Sequence, residues 1–400
     1  MLRASPGGGS AGDYRCAVRL NPVLSNLGEY PIAIIHQRAR ALRDAGKTVV
    51  DFSIGDPREP TPDFIPTALK AAVPEISQYP LTAGLPELRR AVADYVQRRF
   101  GVTVDPDTQV MPTSGSKEAV FSSPLAFIDR DAGDGVVFAT PGYPIYQRGA
   151  QFAGATALPV ILSDDFVMRA ADISEKAWDV ARIVWTCTPH NPTGSVATAA
   201  ELAGLVNRAR ESGALLFSDE CYADIYEEDA FDEPPASALQ VAGEGSEGVL
   251  VFFSCSKRSG MTGYRSGAIV GDAEAIAALA RLRTMTGTAS PDFVQFAAVA
   301  AWSDDEHAKE RRTIFATKRR ILRDAFDEIG LRTVASRAGL YMWVAVEDDL
   351  AATDRLLQGG VIVSPGRFFG RGGEGYLRFA LVPTIEECQA AAAVVQQWLT

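Results

Sequence analysis

The sequence is poor in the residue types that usually bind metals or build covalent frameworks. It has three histidines and five cysteines in 400 residues, and neither a Cys-x-x-Cys nor a His-Glu-x-x-His pattern occurs. Such a sparse and irregular set of ligands argues against a metal site and against a disulfide framework. We therefore expect no metal, and we expect reduced thiols in a cytoplasmic enzyme.

Positive charge is also in deficit. There are 39 Lys plus Arg against 50 Asp plus Glu, a formal net charge of −11. Proteins that bind the phosphate backbone of nucleic acids need clustered Lys and Arg, so nucleic acid is a poor partner for this chain. No apolar run is long enough to span a bilayer, so we expect no membrane segment either. The 47% of hydrophobic residues is ample for a folded core.

Short apolar runs alternate with helical periodicity along most of the chain. The runs are continuous rather than alternating, which is typical of strands covered by helices on both faces. They occupy residues 135–139, 183–186, 214–218, 249–253 and 268–270. Apolar spacing predicts helices over residues 85–100 and about 304–329. The alternation predicts an α/β fold with a mostly parallel sheet.

A lysine with small hydroxylated neighbours follows the run that ends at residue 253. Lys257 lies in Ser254-Cys-Ser256-Lys257, and Arg265 follows eight positions later. A partly buried lysine near cations can be neutral and so attack a carbonyl. Ser254, Ser256 and Arg265 could donate hydrogen bonds to a phosphate. Taken alone, the segment reads equally well as a solvated surface loop.

Polar residues also follow the two preceding runs. At a buried strand end, the Asp219 carboxylate could hold a heteroaromatic nitrogen protonated, and Tyr222 could donate to a ring oxygen. In isolation, Asp219 reads as a helix N-cap. Asn191 could donate to the same oxygen as Tyr222, although Asn-Pro-Thr-Gly is also typical of a tight turn.

Two further segments could contact a cofactor. Gly115, Ser116 and Lys117 open a predicted helix, where free N–H groups bind phosphate well. Simple capping by Ser114 explains that segment equally well. Tyr143 lies in a proline-bent loop and could stack on a planar ring. As a single signal Tyr143 is weak, because aromatic residues in loops usually serve packing.

Taken together and in this order, these signatures resemble those of the class I/II aminotransferases, the fold-type-I enzymes that depend on pyridoxal 5′-phosphate (PLP). The resemblance extends from Asn21 to the C-terminus. It implies an α/β fold-type-I PLP-transferase whose large domain, residues 56–303, has a mixed, mostly parallel sheet flanked by helices. Residues 21–55 and 304–400 would form a smaller α/β domain. Residues 1–20 lie outside the resemblance and are predicted to be a flexible tail.

The resemblance also implies roles for individual residues. The catalytic residues would be Lys257, Asp219 and Tyr222. Cofactor contacts would come from these three and from Gly115, Ser116, Lys117, Tyr143, Asn191, Ser254, Ser256 and Arg265. Tyr79 would reach the phosphate of a neighbouring subunit, which implies a homodimer with shared active sites. Arg378 would bind the substrate α-carboxylate, with Gly55 and Asn191 lining the same pocket.

Within the family, three stretches resemble N-succinyl-diaminopimelate aminotransferases of lysine biosynthesis. They are residues 52–62, residues 256–259 with 265–267, and residues 364–370 with 373–378. The Gly-Glu-Gly-Tyr part of the last stretch also resembles LL-diaminopimelate aminotransferases. The resemblance implies amino-group exchange between N-succinyl-LL-diaminopimelate and 2-oxoglutarate or glutamate. LL-diaminopimelate or another amino acid is the alternative donor. Arg58 and Arg367 are candidates for a distal carboxylate of such a substrate, or else solvated loop arginines.

Other classes of protein fit the sequence less well. A regulator with a DNA-binding module needs a basic helix-turn-helix pattern, and none precedes Asn21. A dinucleotide oxidoreductase needs Gly-x-Gly-x-x-Gly between a strand and a helix, whereas the glycine clusters lie in the N-terminal tail and at residues 370–375. A carbon–sulfur lyase on the same PLP fold stays open, because the shared motifs indicate a cofactor more firmly than a reaction.

Overall fold

A computed structural model describes residues 18–25 and 32–399 of the protein. Most of the tail predicted for residues 1–20 therefore lies outside the described residues. The helices are α1 (Pro22–Ser25), α2 (Ile32–Asp44), α3 (Phe64–Ala71), α4 (Pro86–Phe100), α5 (Ser116–Ser122), α6 (Ile145–Ala153), α7 (Glu175–Trp178), α8 (Ala199–Ser212), α9 (Ala238–Ala242), α10 (Cys255–Arg258), α11 (Ala273–Thr286), α12 (Asp292–Trp302), α13 (Glu306–Glu328), α14 (Asp349–Gln358) and α15 (Ile385–Trp398). The strands are β1 (Val50–Asp51), β2 (Val110–Thr113), β3 (Gly135–Thr140), β4 (Thr156–Ile161), β5 (Ala181–Cys187), β6 (Leu215–Asp219), β7 (Val249–Ser254), β8 (Gly267–Gly271), β9 (Thr333–Val334), β10 (Tyr341–Ala345), β11 (Val361–Ile362), β12 (Ser364–Pro365) and β13 (Tyr376–Ala380).

A seven-stranded sheet in the order β2-β8-β7-β6-β5-β3-β4 forms the centre of the fold. All the predicted apolar runs are strands of this sheet, as β3, β5, β6, β7 and β8. The sheet is parallel except for β8, which is antiparallel to both β7 and β2. The short segment between β7 and β8 contains no long crossover helix, and an antiparallel return is the connection that such a segment allows.

The two helices predicted from apolar spacing are α4 and α13. In α4, Pro86 occupies the first turn, where a missing N–H is harmless. The helix ends at Gly101, whose φ of 71° is the left-handed conformation that favours glycine. The face of α4 that carries Leu88, Val92 and Val96 is buried against the central sheet.

A second sheet has four strands in the order β12-β13-β10-β9. A separate parallel pair, β1 with β11, joins the N-terminal and C-terminal parts of the chain. Phe52 contacts the ring of Phe379 with centroids 5.5 Å apart, and Phe379 contacts Phe326 at 5.1 Å. Residues from both chain ends thus share one hydrophobic core. This sharing is consistent with a smaller domain built from both ends, although the boundaries 21–55, 56–303 and 304–400 stay a prediction.

Within the described part of the chain, no helix has the length and apolar character needed to cross a membrane.

Candidate active site

The candidate residues follow strands whose carboxyl ends meet at one edge of the central sheet. β3, β5, β6 and β7 are parallel neighbours, and β2 runs in the same direction because it is antiparallel to β8. Asp219 ends β6, and the segment carrying Lys257 begins where β7 ends. Ligands of open parallel sheets bind at this edge, since the connecting loops converge there.

A cavity of about 320 Å³ opens at this edge, between the central sheet and the second sheet. Most of the predicted site residues line it: Gly55, Ser116, Lys117, Tyr143, Asn191, Asp219, Tyr222, Ser254, Ser256, Lys257, Arg265 and Arg378. It is also lined by residues that the sequence analysis did not assign to the site, among them Ile54, Cys221, Thr262, Tyr341 and Phe369. The structure therefore brings the predicted residues together, and their roles stay predictions.

Several candidate residues do not line the cavity. Gly115 is close to the Arg265 guanidinium, which itself lines the cavity. The Tyr79 side chain is fully exposed on this chain. Arg58 donates to Glu387 Oε1 at 2.9 Å. Arg367 Nε donates to both carboxylate oxygens of Asp349 at 3.0 Å. The structure thus does not support Arg58 and Arg367 as contacts for a distal carboxylate, because acidic residues outside the cavity already engage both guanidinium groups.

Lys257 is the third residue of a helix of only four residues. Ser254 caps α10 by accepting a hydrogen bond from the N–H of Ser256 at 3.2 Å, and the Lys257 ammonium donates to the carbonyl of Gly55. Burial lowers the pKa of Lys257 to about 8, helped by Arg265 and Arg378 and opposed by the Asp56 carboxylate. A substantial neutral fraction near physiological pH is the property that a carbonyl-attacking lysine needs.

Asp219 is buried and accepts hydrogen bonds from two donors. Tyr146 O–H donates to Oδ2 at 2.8 Å, and the N–H of Cys221 donates to Oδ1 at 3.2 Å. Burial raises the pKa of Asp219, and these hydrogen bonds oppose the shift. Among the described residues, no Lys, Arg or His forms an ion pair with it. A protonated pyridine nitrogen would supply the positive partner that a buried carboxylate requires.

Tyr146 is a functional candidate that the sequence analysis missed. Its ring stacks on Trp185, with centroids 4.9 Å apart and an interplanar angle of 19°. This packing fixes the hydroxyl that donates to Asp219. Tyr146 lies in the same proline-bent segment as Tyr143, but nothing in the sequence indicates which of the two tyrosines turns towards Asp219.

Arg378 is clamped on several sides. Nη2 donates to the carbonyl of Ser53 at 2.6 Å, and Nη1 donates to Asn191 Oδ1 at 3.1 Å. The guanidinium carbon lies 4.3 Å from the ring centre of Tyr341 and 4.4 Å from that of Phe369. Cation–π contacts with these two rings restrict the guanidinium, and its buried Nε has no partner among the described residues. The group is thus arranged to bind a carboxylate in its plane.

Tyr222 and Tyr341 both line the cavity, and their hydroxyl groups share a hydrogen bond with the oxygens 3.0 Å apart. Burial raises the pKa of Tyr222 well above its ordinary value, and Tyr341 adds to the shift. Tyr222 is therefore a neutral donor at physiological pH. A Cβ at Gly55 would lie 2.4 Å from the Tyr341 hydroxyl, so glycine is required for this close approach.

The other end of the cavity fits a phosphate. Ser116, Ser254, Ser256 and Arg265 all line it, and together they offer hydroxyl and guanidinium donors. Arg265 Nη1 also donates to the carbonyl of Thr262 at 2.9 Å, which orients the side chain. Gly115 has a φ of +81°, and a Cβ there would lie only 2.4 Å from Arg265 Nη2. The close approach of Arg265 to the backbone therefore depends on glycine at position 115.

We expect Gly115→Ala to weaken PLP binding by roughly 10- to 100-fold, because losing a charge-assisted hydrogen bond costs about 1.5–3 kcal/mol. The added methyl would displace the Arg265 guanidinium. Gly133→Ala is the matched control, since Gly133 has a φ of +77° but no atom within 4 Å of its Cβ position. Both variants carry similar backbone strain. The PLP dissociation constant, measured by equilibrium dialysis, should rise in Gly115→Ala alone, and equal constants would contradict this account of position 115.

The family model described as aminotransferase class I and II matches residues 47–395. The chain is 38% identical to the 4-dedimethylamino-4-oxo-anhydrotetracycline transaminase OxyQ of Streptomyces rimosus, over 92% of this chain and 99% of the relative. It is 35% identical to the LL-diaminopimelate aminotransferase of Aquifex aeolicus, over 93% of this chain and 97% of the relative. Its fold is similar to that of a probable N-succinyldiaminopimelate aminotransferase from Thermus thermophilus, with a TM-score of 0.85 and 28% identity, over 92% of this chain and all of the other.

Proposed function

The chain belongs to the class I and II aminotransferases, and from this premise we propose which of its residues carry the reaction and which class of amino donor it uses. Membership confirms the predicted fold-type-I architecture, the dependence on PLP and the transaminase activity. The assignment of individual residues and of the substrate is our proposal.

Lys257, Asp219, Asn191, Tyr222, Tyr143 and the phosphate donors around Arg265 would hold the cofactor. When bound, PLP supplies an electron-withdrawing ring to the amino acid. The Asp219 carboxylate holds a proton at the ring nitrogen. The Lys257 amine moves the proton at the substrate Cα, and its pKa of about 8 allows both protonation states. Arg378 binds the α-carboxylate and so orients the Cα–H bond.

The observation that carries this proposal is the buried carboxylate of Asp219 in one cavity with Lys257. A carboxylate without a cationic partner is costly in a buried position, and a lysine with a lowered pKa is costly too. Both costs are typical of functional sites. A ring with a basic nitrogen and a carbonyl group would pair with both residues at once.

A distal carboxylate on the amino donor needs a cation in the same cavity. The cations that line it are Lys117, Lys257, Arg265 and Arg378. The last three have the tasks given above, whereas Lys117 has no hydrogen bond or ion pair among the described residues. We therefore propose that Lys117 binds the distal carboxylate of a diaminopimelate-type donor. The relatives named LL-diaminopimelate aminotransferase support this class.

We expect Lys117→Met to lower kcat/KM for LL-diaminopimelate by about 10- to 100-fold, because a charge-assisted hydrogen bond is lost. Turnover of L-alanine, which has no distal carboxylate, should change little. Steady-state kinetics with both donors, together with the PLP dissociation constant, provide the check. If Lys117 bound the cofactor phosphate instead, both donors would suffer equally and PLP would bind less tightly, which would contradict the distal role.

A donor panel tests the substrate class. N-succinyl-LL-diaminopimelate, LL-diaminopimelate, L-glutamate and L-aspartate are each mixed with the PLP-loaded protein, and the change in visible absorbance is followed. We expect one of the two diaminopimelate compounds to react with the highest kcat/KM. Accumulation of pyruvate and ammonia from a sulfur-containing amino acid such as L-cystathionine, with no keto acid acceptor present, would instead favour the carbon–sulfur lyase.

We also propose a homodimer with shared active sites. Large apolar side chains are exposed on and after α3 and at the end of α11, including Val73, Ile76, Leu81 and Met285. Such exposure is unusual for the surface of a monomer, and Tyr79 is fully exposed among these residues. In this arrangement Tyr79 reaches the phosphate bound by the neighbouring subunit. Sedimentation equilibrium would test it, and a monomeric mass at micromolar concentration would rule it out.

A further inference from the structure

A buried ion pair lies directly behind the candidate active site. Asp224 follows Tyr222 by two positions, and Arg258 follows Lys257 immediately. Asp224 is 6% exposed and Arg258 is 4% exposed, and neither lines the cavity. The pair therefore connects two segments that carry cofactor-facing residues without facing the cofactor itself.

Arg258 is fixed by a full set of partners. Nε donates to Asp224 Oδ2 at 2.7 Å, and Nη1 donates to the carbonyl of Ala301 at 2.7 Å. Nη2 donates to the carbonyl of Asp304 at 2.9 Å and to Asp305 Oδ1 at 2.7 Å. These partners lie on the segment after β6, on α12 and on the turn before α13. One side chain thus ties α10 to three separate parts of the chain.

Two aromatic rings pack against the Arg258 guanidinium. Its carbon lies 4.9 Å from the ring centre of Tyr95 and 5.3 Å from that of Trp302, within the range of cation–π contacts. Both rings are buried in the hydrophobic core that packs against the central sheet. Arg258 therefore has little freedom to change rotamer.

Asp224 is equally well engaged. Besides Arg258, it accepts hydrogen bonds from Arg99 Nε at 3.0 Å and from the Tyr95 hydroxyl at 3.1 Å. Burial raises the pKa of Asp224, but Arg258 and Arg99 outweigh that effect and leave the pKa below its ordinary value. Asp224 is thus a carboxylate at neutral pH, and its bond to Arg258 is an ion pair.

The two segments have little local structure to fix them. α10 is a four-residue helix, and an isolated turn of helix is not stable by itself. The segment after Asp219 has only one turn of 3-10 helix, Glu228–Ala230, before α9. The position of Lys257 relative to Asp219 and Tyr222 must therefore be set by tertiary contacts, and the bond between Arg258 and Asp224 joins the two segments directly.

We propose that Asp224 and Arg258 are positioning residues that hold the Lys257 amine in register with the Asp219–Tyr222 segment. The inference rests on the proposed roles of Lys257 and Tyr222. Misplacing a reacting group by about 1 Å can cost 10²-fold in rate, so we expect Arg258→Met to lower kcat by about 10- to 100-fold. KM for the amino donor should change little, because Arg378 and Lys117 do not contact the pair.

The double variant Asp224→Asn/Arg258→Met separates positioning from simple stabilisation. Removing one partner of a buried pair leaves an uncompensated charge, whereas removing both often restores stability. We expect the thermal midpoint of the double variant to recover part of the loss seen in Arg258→Met, while kcat stays at least about 10-fold below wild type. Recovery of kcat in step with the thermal midpoint would overturn the proposal, as would wild-type kcat in Arg258→Met.

Borohydride trapping supplies a readout that does not depend on turnover. The PLP-saturated proteins are reduced briefly, and the fraction of Lys257 that carries the pyridoxyl group is measured by peptide mass spectrometry. We expect slower trapping in Arg258→Met and in the double variant. If Arg258→Met does not fold, Arg258→Lys takes its place with the same expectations, since lysine cannot bond all the partners of the guanidinium.

Arg210→Lys is the matched control for lost stability. Arg210 donates to the backbone carbonyls of Ala242 and Glu247, away from the cavity. We expect Arg210→Lys to lower the thermal midpoint without changing the rate at which borohydride traps the pyridoxyl group on Lys257. Equal slowing in Arg210→Lys would overturn the positioning role. If the pyridoxyl group in the wild type lay on a lysine other than Lys257, the proposed function would itself fail, so the two failures are distinguishable.

Discussion

Replacing Lys257 with alanine is expected to lower the rate of amino-group transfer by at least about 10⁴-fold, the upper range for general acid–base catalysis. Among the described residues, Lys117 is the other lysine that lines the cavity, so the variant loses one of two amines there. Lys257 is the residue whose pKa is lowered to about 8, so a neutral amine is accessible there near physiological pH. The measurement is kcat with L-glutamate as donor in the wild type and the variant.

Lys257→Arg provides the control for charge. Arginine keeps a cation in the cavity but cannot be deprotonated in a protein, so it can neither attack a carbonyl nor accept a proton. We expect Lys257→Arg to be as inactive as the alanine variant. A side chain that does not transfer the proton typically costs less than about tenfold in kcat when it is replaced. If either variant retained kcat within that range of wild type, Lys257 would not be the proton-transferring residue.

Replacing Asp219 with asparagine is expected to lower kcat by about 10²- to 10³-fold, through lost electrostatic stabilisation. Asparagine has the same shape, and its carbonyl oxygen can still accept from the Cys221 N–H, while its NH2 group faces the Tyr146 hydroxyl oxygen and can donate to it. It lacks the negative charge that holds a proton at the ring nitrogen. Single-turnover kinetics with L-glutamate would measure the loss at the step that this proton assists.

Tyr146→Phe is the matched control, because it removes one hydrogen bond to Asp219 and leaves the carboxylate. We expect kcat to fall by less than about tenfold, since one neutral hydrogen bond contributes about 0.5–1.5 kcal/mol. A loss in Tyr146→Phe equal to that in Asp219→Asn would contradict the charge-based role of Asp219.

The stability of the cofactor-free protein distinguishes a functional loss from a folding loss. Burial raises the pKa of Asp219, so ionising this group destabilises the folded chain as pH rises through the folded-state pKa. Asparagine removes that destabilisation. Without cofactor, Asp219→Asn should therefore be at least as stable as wild type at pH 7, and thermal unfolding would verify this.

The sequence predicted the part of the site that depends on strand ends. Asp219, Asn191 and Lys257 all follow continuous apolar runs, and parallel strands bring the residues after such runs to one edge. The antiparallel direction of β8 was not predicted, because a continuous apolar run indicates burial on both faces but not the direction of the strand.

The parts that could not be predicted depend on tertiary contacts between distant segments. Tyr341 and Phe369 both pack against Arg378. Tyr341 belongs to no motif, and Phe369 lies in a stretch of family resemblance without a feature that marks it as a contact of Arg378. For Arg58 and Arg367 the sequence left two readings open, because it does not show which carboxylate an arginine meets, here Glu387 and Asp349. The bond between Asp224 and Arg258 was likewise visible only in the folded chain.

The central claim is that Lys257 carries the cofactor in a transaminase, and one measurement tests it most directly. The PLP-loaded protein is reduced with borohydride, digested and mapped by mass spectrometry, with and without prior incubation with LL-diaminopimelate or its N-succinyl derivative. We predict a pyridoxyl group on Lys257 that a reactive donor diminishes, because the amino group of the donor displaces the lysine. A pyridoxyl group on another lysine, or labelling of Lys257 that neither donor changes, would contradict the account.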